Sequence, residues 1–197
     1  MRIRLVAWGM MLSLVALLWA GCDDDRKPCV ACPEPDPAIV VALNYIDGHR
    51  AELGLREEVD QMVSYRVLKD DMGMTHVRFY QYYKGVRVEG GELIVHLSAA
   101  LEVTRVSGEV VRDVQVDTNV TISAGTAARI AQEDFQSDGF HVIQEGLIET
   151  IVIRWNDIDH LCWTMVFNAT DAIDIRQYFV DAHSGEIVYW RSLIIVG

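Results

Sequence analysis

Residues 76–97 read HVRFYQYYKGVRVEGGELIVHL, and this stretch predicts two β-strands joined by a tight turn at Lys84-Gly85. We place the first strand at residues 75–83. Successive side chains of a strand point to opposite faces, so apolar residues at every second position indicate a strand with one buried face. The positions that share this face are Val77, Phe79, Tyr83, Leu93, Val95 and Leu97.

A helix is predicted on each side of the region that contains this hairpin. The first begins near residue 38, directly after Pro37, which suits a first helical turn, and Gly54 can end it. The second begins after Ser123, a residue type that is favoured as an N-cap. The apolar positions at helical spacing are Ile39, Leu43, Ile46 and Leu53 in the first helix and Ala124, Ala127, Ala128, Ala131 and Phe135 in the second.

Further strands are predicted at residues 101–106, 161–167, 173–180 and 186–191, with the last two joined by a loop at 181–185 in which Gly185 takes a positive φ. Helix followed by strands, twice over, is an α+β pattern. We expect antiparallel sheets, each packed against a helix.

The composition is that of a globular protein, with 197 residues, of which 51% are hydrophobic and 23% charged. The formal net charge is −12, from 17 Lys and Arg against 29 Asp and Glu. No basic stretch is present. This argues against nucleic acid as a partner and against adsorption to anionic lipid, since both depend on clustered basic residues.

Residues 1–21 have the pattern of a bacterial lipoprotein signal peptide. Arg2 and Arg4 precede an apolar run at 5–20, which is too short for an ordinary membrane span. The run ends at Ala20-Gly21-Cys22, and the resemblance to lipoprotein signals implies cleavage before Cys22 and lipidation of that residue. Trp19 stands where such signals usually have Leu. The alternative is an ordinary secretory signal cut near Ala20.

Residues 22–37 are predicted to be an extended tether, because all four prolines of the chain lie there. Cys29 and Cys32 are spaced as in redox and metal sites. No helix start, second Cys pair or His follows them, so we expect a local disulfide in an oxidising compartment. Cys162, in an apolar strand, is expected to be a small buried residue.

Two parts of the sequence resemble protein modules that occur together. Residues 76–97 resemble the fungalysin/thermolysin propeptide (FTP) domain, and residues 162–191 resemble the end of a PepSY domain. The FTP match lies in His76-Val77-Arg78-Phe79, Tyr83-Lys84-Gly85-Val86, Gly90-Gly91-Glu92-Leu93 and Val95-His96. The PepSY match lies in Trp163, Tyr178-Phe179-Val180-Asp181 and Gly185-Glu186-Ile187-Val188.

The order of the two modules is that of the prosegment of thermolysin-like zinc proteases. The resemblance implies an FTP-like, cystatin-like domain at 38–122 and a PepSY-like domain at 123–197. Such prosegments help the protease to fold and block its active site. The sequence contains no His-Glu-x-x-His, so we expect no zinc-protease site, no catalytic activity, no metal and no cofactor.

Other chemistry-bearing residues have structural explanations. His76 and His96 match family positions and fall in strands, so we expect them to be structural. Asp157, Asp159 and His160 form a turn that could bind a cation, although a solvated loop is the simpler interpretation. The apolar end of the chain could instead contact a protease cleft, or continue the last strand into the core. Its residues are Leu193, Ile194, Ile195, Val196 and Gly197.

These features favour an envelope lipoprotein that binds a secreted thermolysin-like zinc metalloprotease in trans, as inhibitor or folding helper. The anchor would be lipid, and the chain would face the periplasm or the exterior. Two alternatives stay open from sequence. One is an envelope binding or scaffold module with no protease partner. The other is the remnant of a truncated protease precursor.

Overall fold

The computed structural model describes residues 35–145, 147–170 and 173–194. The predicted lipidation site Cys22, the predicted disulfide Cys29–Cys32 and the last three residues, 195–197, lie outside the described residues. In the described part of the chain, no helix is long and apolar enough to cross a membrane.

The fold is α+β, as the sequence predicted. The helices are α1 (Pro37–Gly48), α2 (Arg50–Leu53) and α3 (Ala124–Ser137). The strands are β1 (Asp60–Lys69), β2 (Thr75–Tyr83), β3 (Val86–Leu97), β4 (Val103–Glu109), β5 (Val142–Glu145), β6 (Glu149–Trp155), β7 (Ile158–Ala169), β8 (Ile175–Asp181) and β9 (Ile187–Ser192).

The strands of the described residues form one mixed, nine-stranded sheet rather than the separate antiparallel sheets expected from sequence. The main order is β1-β2-β3-β6-β7-β8-β9, with β4 paired to β3 and β5 paired to β7. All pairs are antiparallel except β3 with β6, which run parallel through the partners Arg87↔Ile151 and Val88↔Val152. This short parallel pairing joins the two halves of the molecule, and we call it the seam.

Both long helices lie on one face of this sheet. In the first half, α1 buries Ala42 and Ile46 against Val77 and Phe79. In the second half, α3 buries its alanines and Phe135 in one cluster with residues of β7 and β8. A third cluster contains Val88 and Val152 from the two sides of the seam. The buried face is therefore continuous across both halves.

The helix starts follow the local sequence. The Asp36 side chain accepts a hydrogen bond from the Ala38 N–H, and Pro37 occupies the first turn of α1. Ser123 accepts a hydrogen bond from the Thr126 N–H at the start of α3. Ala127, Ala128 and Ala131 are buried, so their small side chains allow α3 to lie close to the sheet.

Candidate protein-binding face

The face of the sheet opposite α1 and α3 carries the side chains that alternate with the core positions, and we call it the open face. It is the candidate functional site because both helices leave it uncovered. Its members, by strand, include Tyr65 in β1, His76, Arg78 and Tyr80 in β2, Arg87, Glu89, Glu92 and His96 in β3, Ile151, Ile153 and Trp155 in β6, Phe179 in β8, and Tyr189 and Arg191 in β9.

In the first half, the open face is built from ring stacking and ion pairs. Tyr65 and Tyr80 stack with ring centroids 3.8 Å apart and planes 5° apart. The Tyr65 hydroxyl donates a hydrogen bond to Glu92 Oε1 over 2.7 Å, and Arg78 pairs with the same oxygen at 2.8 Å. These contacts tie β1, β2 and β3 together on the side that no helix supports.

The two histidines singled out from sequence lie directly opposite each other on β2 and β3. The Nδ1 atoms of His76 and His96 are 2.8 Å apart. At the outer ends of the pair, His76 Nε2 lies 3.2 Å from Asp70 Oδ2, and His96 Nε2 lies 2.8 Å from Ser107 Oγ. The row therefore runs from the β1–β2 turn to β4, and both imidazoles are hydrogen-bonded at each nitrogen.

Two arginine–glutamate pairs cross the seam on the open face. Arg87 of β3 pairs with Glu149 of β6 at 3.2 Å, and Arg191 of β9 pairs with Glu89 of β3 at 2.8 Å. These pairs are partly exposed, so each is worth less than about 1 kcal/mol. Their main effect is therefore on the relative position of β3, β6 and β9, and their contribution to the stability of the fold is small.

Next to the seam, the second half of the open face forms an aromatic cleft of about 410 Å³. Its apolar lining includes Ile153, Trp155, Phe179 and Tyr189. Trp155 and Tyr189 stack with centroids 4.4 Å apart, and Trp155 is still 39% exposed. Its charged rim is formed by Glu89, Glu109, Arg154 and Arg191.

The residue types in this cleft are those that dominate binding energy in protein interfaces. Tryptophan, tyrosine and arginine are enriched at interface hot spots, where a partner's side chain displaces water from an apolar pocket with a polar rim. The sequence reasoning missed these residues. For Trp155, and for Tyr65 in the first half of the open face, one signal was available in the sequence: each is an aromatic residue at a strand position where a polar residue would be expected.

Two motif glycines have a packing role behind the open face. Gly90 has a φ of 79° at an irregular step in β3, and an added Cβ at Gly91 would lie 2.5 Å from the Gln81 side chain. The fully buried Gln81 accepts a hydrogen bond from the Val111 N–H at 2.8 Å and donates one to the Val111 carbonyl at 3.0 Å. The Gly-Gly pair therefore makes room for the side chain that anchors the segment after β4.

The predicted turn is shorter than expected, because only residues 156 and 157 form it and Asp159 and His160 already lie in β7, where they form ion pairs. No group of three potential metal ligands occurs among the described residues. Asp159 binds Arg154 at 2.7 Å and accepts a hydrogen bond from the Gln115 N–H at 2.8 Å. His160 Nδ1 lies 3.0 Å from an Asp181 oxygen. The solvated-loop interpretation therefore fits only Asp157, which is exposed at the tip.

Burial raises the pKa of the Cys162 thiol to about 12, with a smaller contribution from Asp181. Cys162 is thus a buried, protonated thiol, as expected from its apolar strand.

At the chain end, the Leu193 N–H donates to the Ile175 carbonyl over 2.8 Å, which extends the β8–β9 pairing by one bond. Leu193 is 40% exposed.

Comparison with known protein families finds a match in the first half of the sheet. Residues 60–110 match the Fungalysin/Thermolysin Propeptide Motif. No curated protein sequence matches the chain.

Two solved structures are similar at low identity. The Bacillus megaterium YpeB C-terminal domain is 17% identical, with 80% of this chain and 64% of that chain covered and a TM-score of 0.40. A candidate lipoprotein from Clostridium difficile 630 is 13% identical, with 81% and 96% covered and a TM-score of 0.27.

The matched residues coincide with the whole of β1–β4, from the first residue of β1 to the residue after β4. They include the stacked tyrosines, the histidine row and the Gly-Gly pair. Residues 60–110 of this chain therefore carry the fungalysin/thermolysin propeptide motif that the sequence predicted.

Proposed function

We propose that this chain binds a thermolysin-like zinc metalloprotease in trans, as an inhibitor or folding helper, and that it uses the open face to do so. The observation that carries the proposal is the propeptide motif over β1–β4, strands whose outward face is left uncovered by the helices. In proteases with this motif, the prosegment and the catalytic domain belong together, which makes such a domain the natural partner.

The open face has the properties that a docking surface needs. It presents an aromatic cleft beside the seam and a row of paired polar groups on β1–β4, so it combines an apolar anchor with directional contacts. The chain is acidic, with a net charge of −12, which favours encounter with a basic partner surface.

The proposed domain boundaries, lipid anchor and tether are inferred from the sequence. Residues 38–122 would be the FTP-like domain and residues 123–197 the PepSY-like domain, each with its own helix. Lipidation at Cys22 would hold the protein at the bacterial envelope, and the stretch at 22–37 would act as the tether. The apolar stretch at 193–197 is a second candidate contact, and it would enter the protease cleft.

The test is a binding and inhibition assay with the full chain. The probe is a zinc metalloprotease purified from the same cells, identified by its His-Glu-x-x-His motif. We expect saturable binding with a change in protease activity or in recovery of active protease after refolding. If neither binding nor any effect on activity or refolding is found, the proposal is overturned, and a pull-down that retains only non-protease envelope proteins would favour the scaffold alternative.

A matched pair of tryptophan variants locates the contact. Trp155, on the open face, is 39% exposed, and Trp190, whose ring contacts Tyr178 and Arg176 on the helix-covered side, is 42% exposed. Trp155→Ala should weaken binding at least tenfold, about 1.4 kcal/mol, as expected for a hot-spot aromatic. Trp190→Ala should leave binding unchanged. Loss of binding only on deletion of residues 193–197 would assign the contact to the chain end instead.

A further inference from the structure

The histidine row fixes the position of every proton when Asp70 is ionised. The pKa of Asp70 lies below its usual range: partial desolvation alone would raise it, but hydrogen bonds from the Met74 and Met72 N–H groups and from His76 outweigh that effect. A carboxylate can only accept, so the proton of neutral His76 must lie on Nε2, facing Asp70. His76 Nδ1 is then an acceptor.

The rest of the row follows from that end. Because His76 Nδ1 accepts, His96 must donate to it from Nδ1 across the 2.8 Å contact. His96 Nε2 is then an acceptor, and the Ser107 hydroxyl donates to it. In this arrangement all three contacts are satisfied, with hydrogen bonds directed from β4 across β3 and β2 to the β1–β2 turn.

A first added proton can be accommodated without breaking a contact. It binds His96 Nε2, and the Ser107 hydroxyl rotates to accept instead of donating. The proton between the two rings can then shift to His76 Nδ1, which places the positive charge on His76, beside the Asp70 carboxylate. A second proton has a single remaining nitrogen to bind, the Nδ1 that accepts in the contact between the two rings. Two N–H groups cannot face each other at 2.8 Å, so the rings must separate.

The charged groups around the row favour the neutral state of His96. Burial is the main factor that lowers its pKa, followed by the charges of His76, Arg105 and Arg78. Arg105 is the cross-strand partner of His96 on β4, and Arg78 lies two residues beyond His76 on β2. Glu92 of β3 pairs with Arg78, and β1 contributes the apolar Leu68 opposite His76.

We propose that His76 and His96 form an acid-sensitive latch on the open face, which holds one added proton with its contacts intact and opens when both rings are charged. The location of the latch determines which part of the open face its opening would disturb. It joins β2 to β3 in the middle of the propeptide motif, on the same face as Tyr65, Tyr80 and Glu92. Opening therefore disturbs the open face of the first half and leaves the aromatic cleft of the second half in place.

The test is a nuclear magnetic resonance titration of the histidine side chains in the full chain, held in detergent micelles, from pH 8 to pH 4. We expect His76 and His96 to titrate as a coupled pair, in two steps more than one pH unit apart. Below the second step, amide-exchange protection in β2–β3 should fall about tenfold per pH unit, after correction for intrinsic exchange, relative to β7–β8.

The matched control is His160, which pairs with Asp181 across β7 and β8 and has no second imidazole against it. His160→Gln should leave both steps of the latch unchanged, whereas His76→Gln should reduce His96 to a single step. If His76→Gln does not fold, His96→Gln makes the same test on His76. Titration of His76 and His96 as independent groups, or protection in β2–β3 that persists below the second step, would overturn the proposal.

Discussion

The two halves of the sheet share one covered face but differ on the open face. On β1–β4 the open face is held by directional contacts: stacked tyrosines, the Arg78–Glu92 pair and the histidine row. On β6–β9 it is held by apolar burial, with Ile151, Ile153, Cys162 and Phe179 in one cluster. The stability of a surface held by directional contacts depends on charge and pH. The stability of an apolar surface depends on the volume of its buried side chains.

The largest expected effect comes from core truncation in each half. Phe135→Ala in α3 and Phe79→Ala in β2 each remove a fully buried ring and should lower the free energy of unfolding by about 4 kcal/mol. The measurement is denaturant unfolding followed by circular dichroism and by tryptophan fluorescence. Trp155, Trp163 and Trp190, the tryptophans of the described residues, all lie in the second half.

The comparison between the two probes decides whether the halves unfold together. Because a buried cluster crosses the seam, we expect Phe79→Ala to lower the fluorescence midpoint as much as the circular dichroism midpoint. An unchanged fluorescence midpoint in Phe79→Ala would mean that the second half unfolds independently, and would favour 122/123 as a domain boundary.

A smaller effect is expected from the buried carboxylate at the start of β1. Asp60 is 1% exposed and accepts hydrogen bonds at 2.9 Å from both the backbone N–H and the side chain of Arg56. Asp60 also accepts a hydrogen bond from Gln81 Nε2 over 3.4 Å, so Asp60→Ala leaves both Arg56 and Gln81 with fewer partners. It should cost about 2 kcal/mol, below the value for fully buried pairs because Arg56 is partly exposed. Thermal unfolding measures the cost, and Glu133→Ala, at the well-exposed Arg129–Glu133 pair of α3, serves as the neutral control.

Acidification below about pH 6.5 should destabilise the protein through His96 in the first half. The pKa of His96 is lowered in the folded state, so between that value and the ordinary value of about 6.5 the unfolded chain binds more protons. The stability contributed by neutral His96 is complete above about pH 6.5 and falls as the pH drops through that range. Denaturant unfolding at pH 7.5, 6.5 and 5.5 should show this loss for the natural chain and a smaller one for His96→Gln. Equal pH dependence of the two proteins would exclude His96 as the cause.

The smallest effect is expected at the seam. A double-mutant cycle on Glu89 and Arg191, whose side chains are both partly exposed, should give a coupling energy of about 0.5 kcal/mol. A coupling energy near zero would leave the parallel pairing and the buried cluster as the connections that matter.

The sequence predicts the elements whose pattern is local. β2 has the predicted bounds because one of its faces is buried at every second position, and α3 begins after its predicted N-cap. β6 was missed because Ile151, Val152 and Ile153 are all buried although they alternate between the helix-covered face and the open face, so period-two alternation disappears. β1 was missed because most of it, at the sheet edge, lacks apolar alternation, and β5 because it has only four residues.

The histidine row could not be predicted because of an irregularity in β3. Tyr83 pairs with Val86 and His76 pairs with His96, so three more residues are used on β3 than on β2. A regular hairpin from the Lys84-Gly85 turn would place His76 opposite Leu93 instead. The shift occurs between Arg87 and Glu92, around the Gly-Gly pair, and no propensity rule gives its size.

The seam also has a consequence for the rate and order of folding. Of the eight strand pairings that the described residues form, six join neighbours along the chain, and such contacts close short loops. The pairing of Val88 with Val152 instead encloses the whole of β4, α3 and β5, and its loop-closure entropy is offset by two residue pairs. We therefore expect this contact to form last, with the two halves already collapsed, and to set the slowest step by which the chain reaches its native topology.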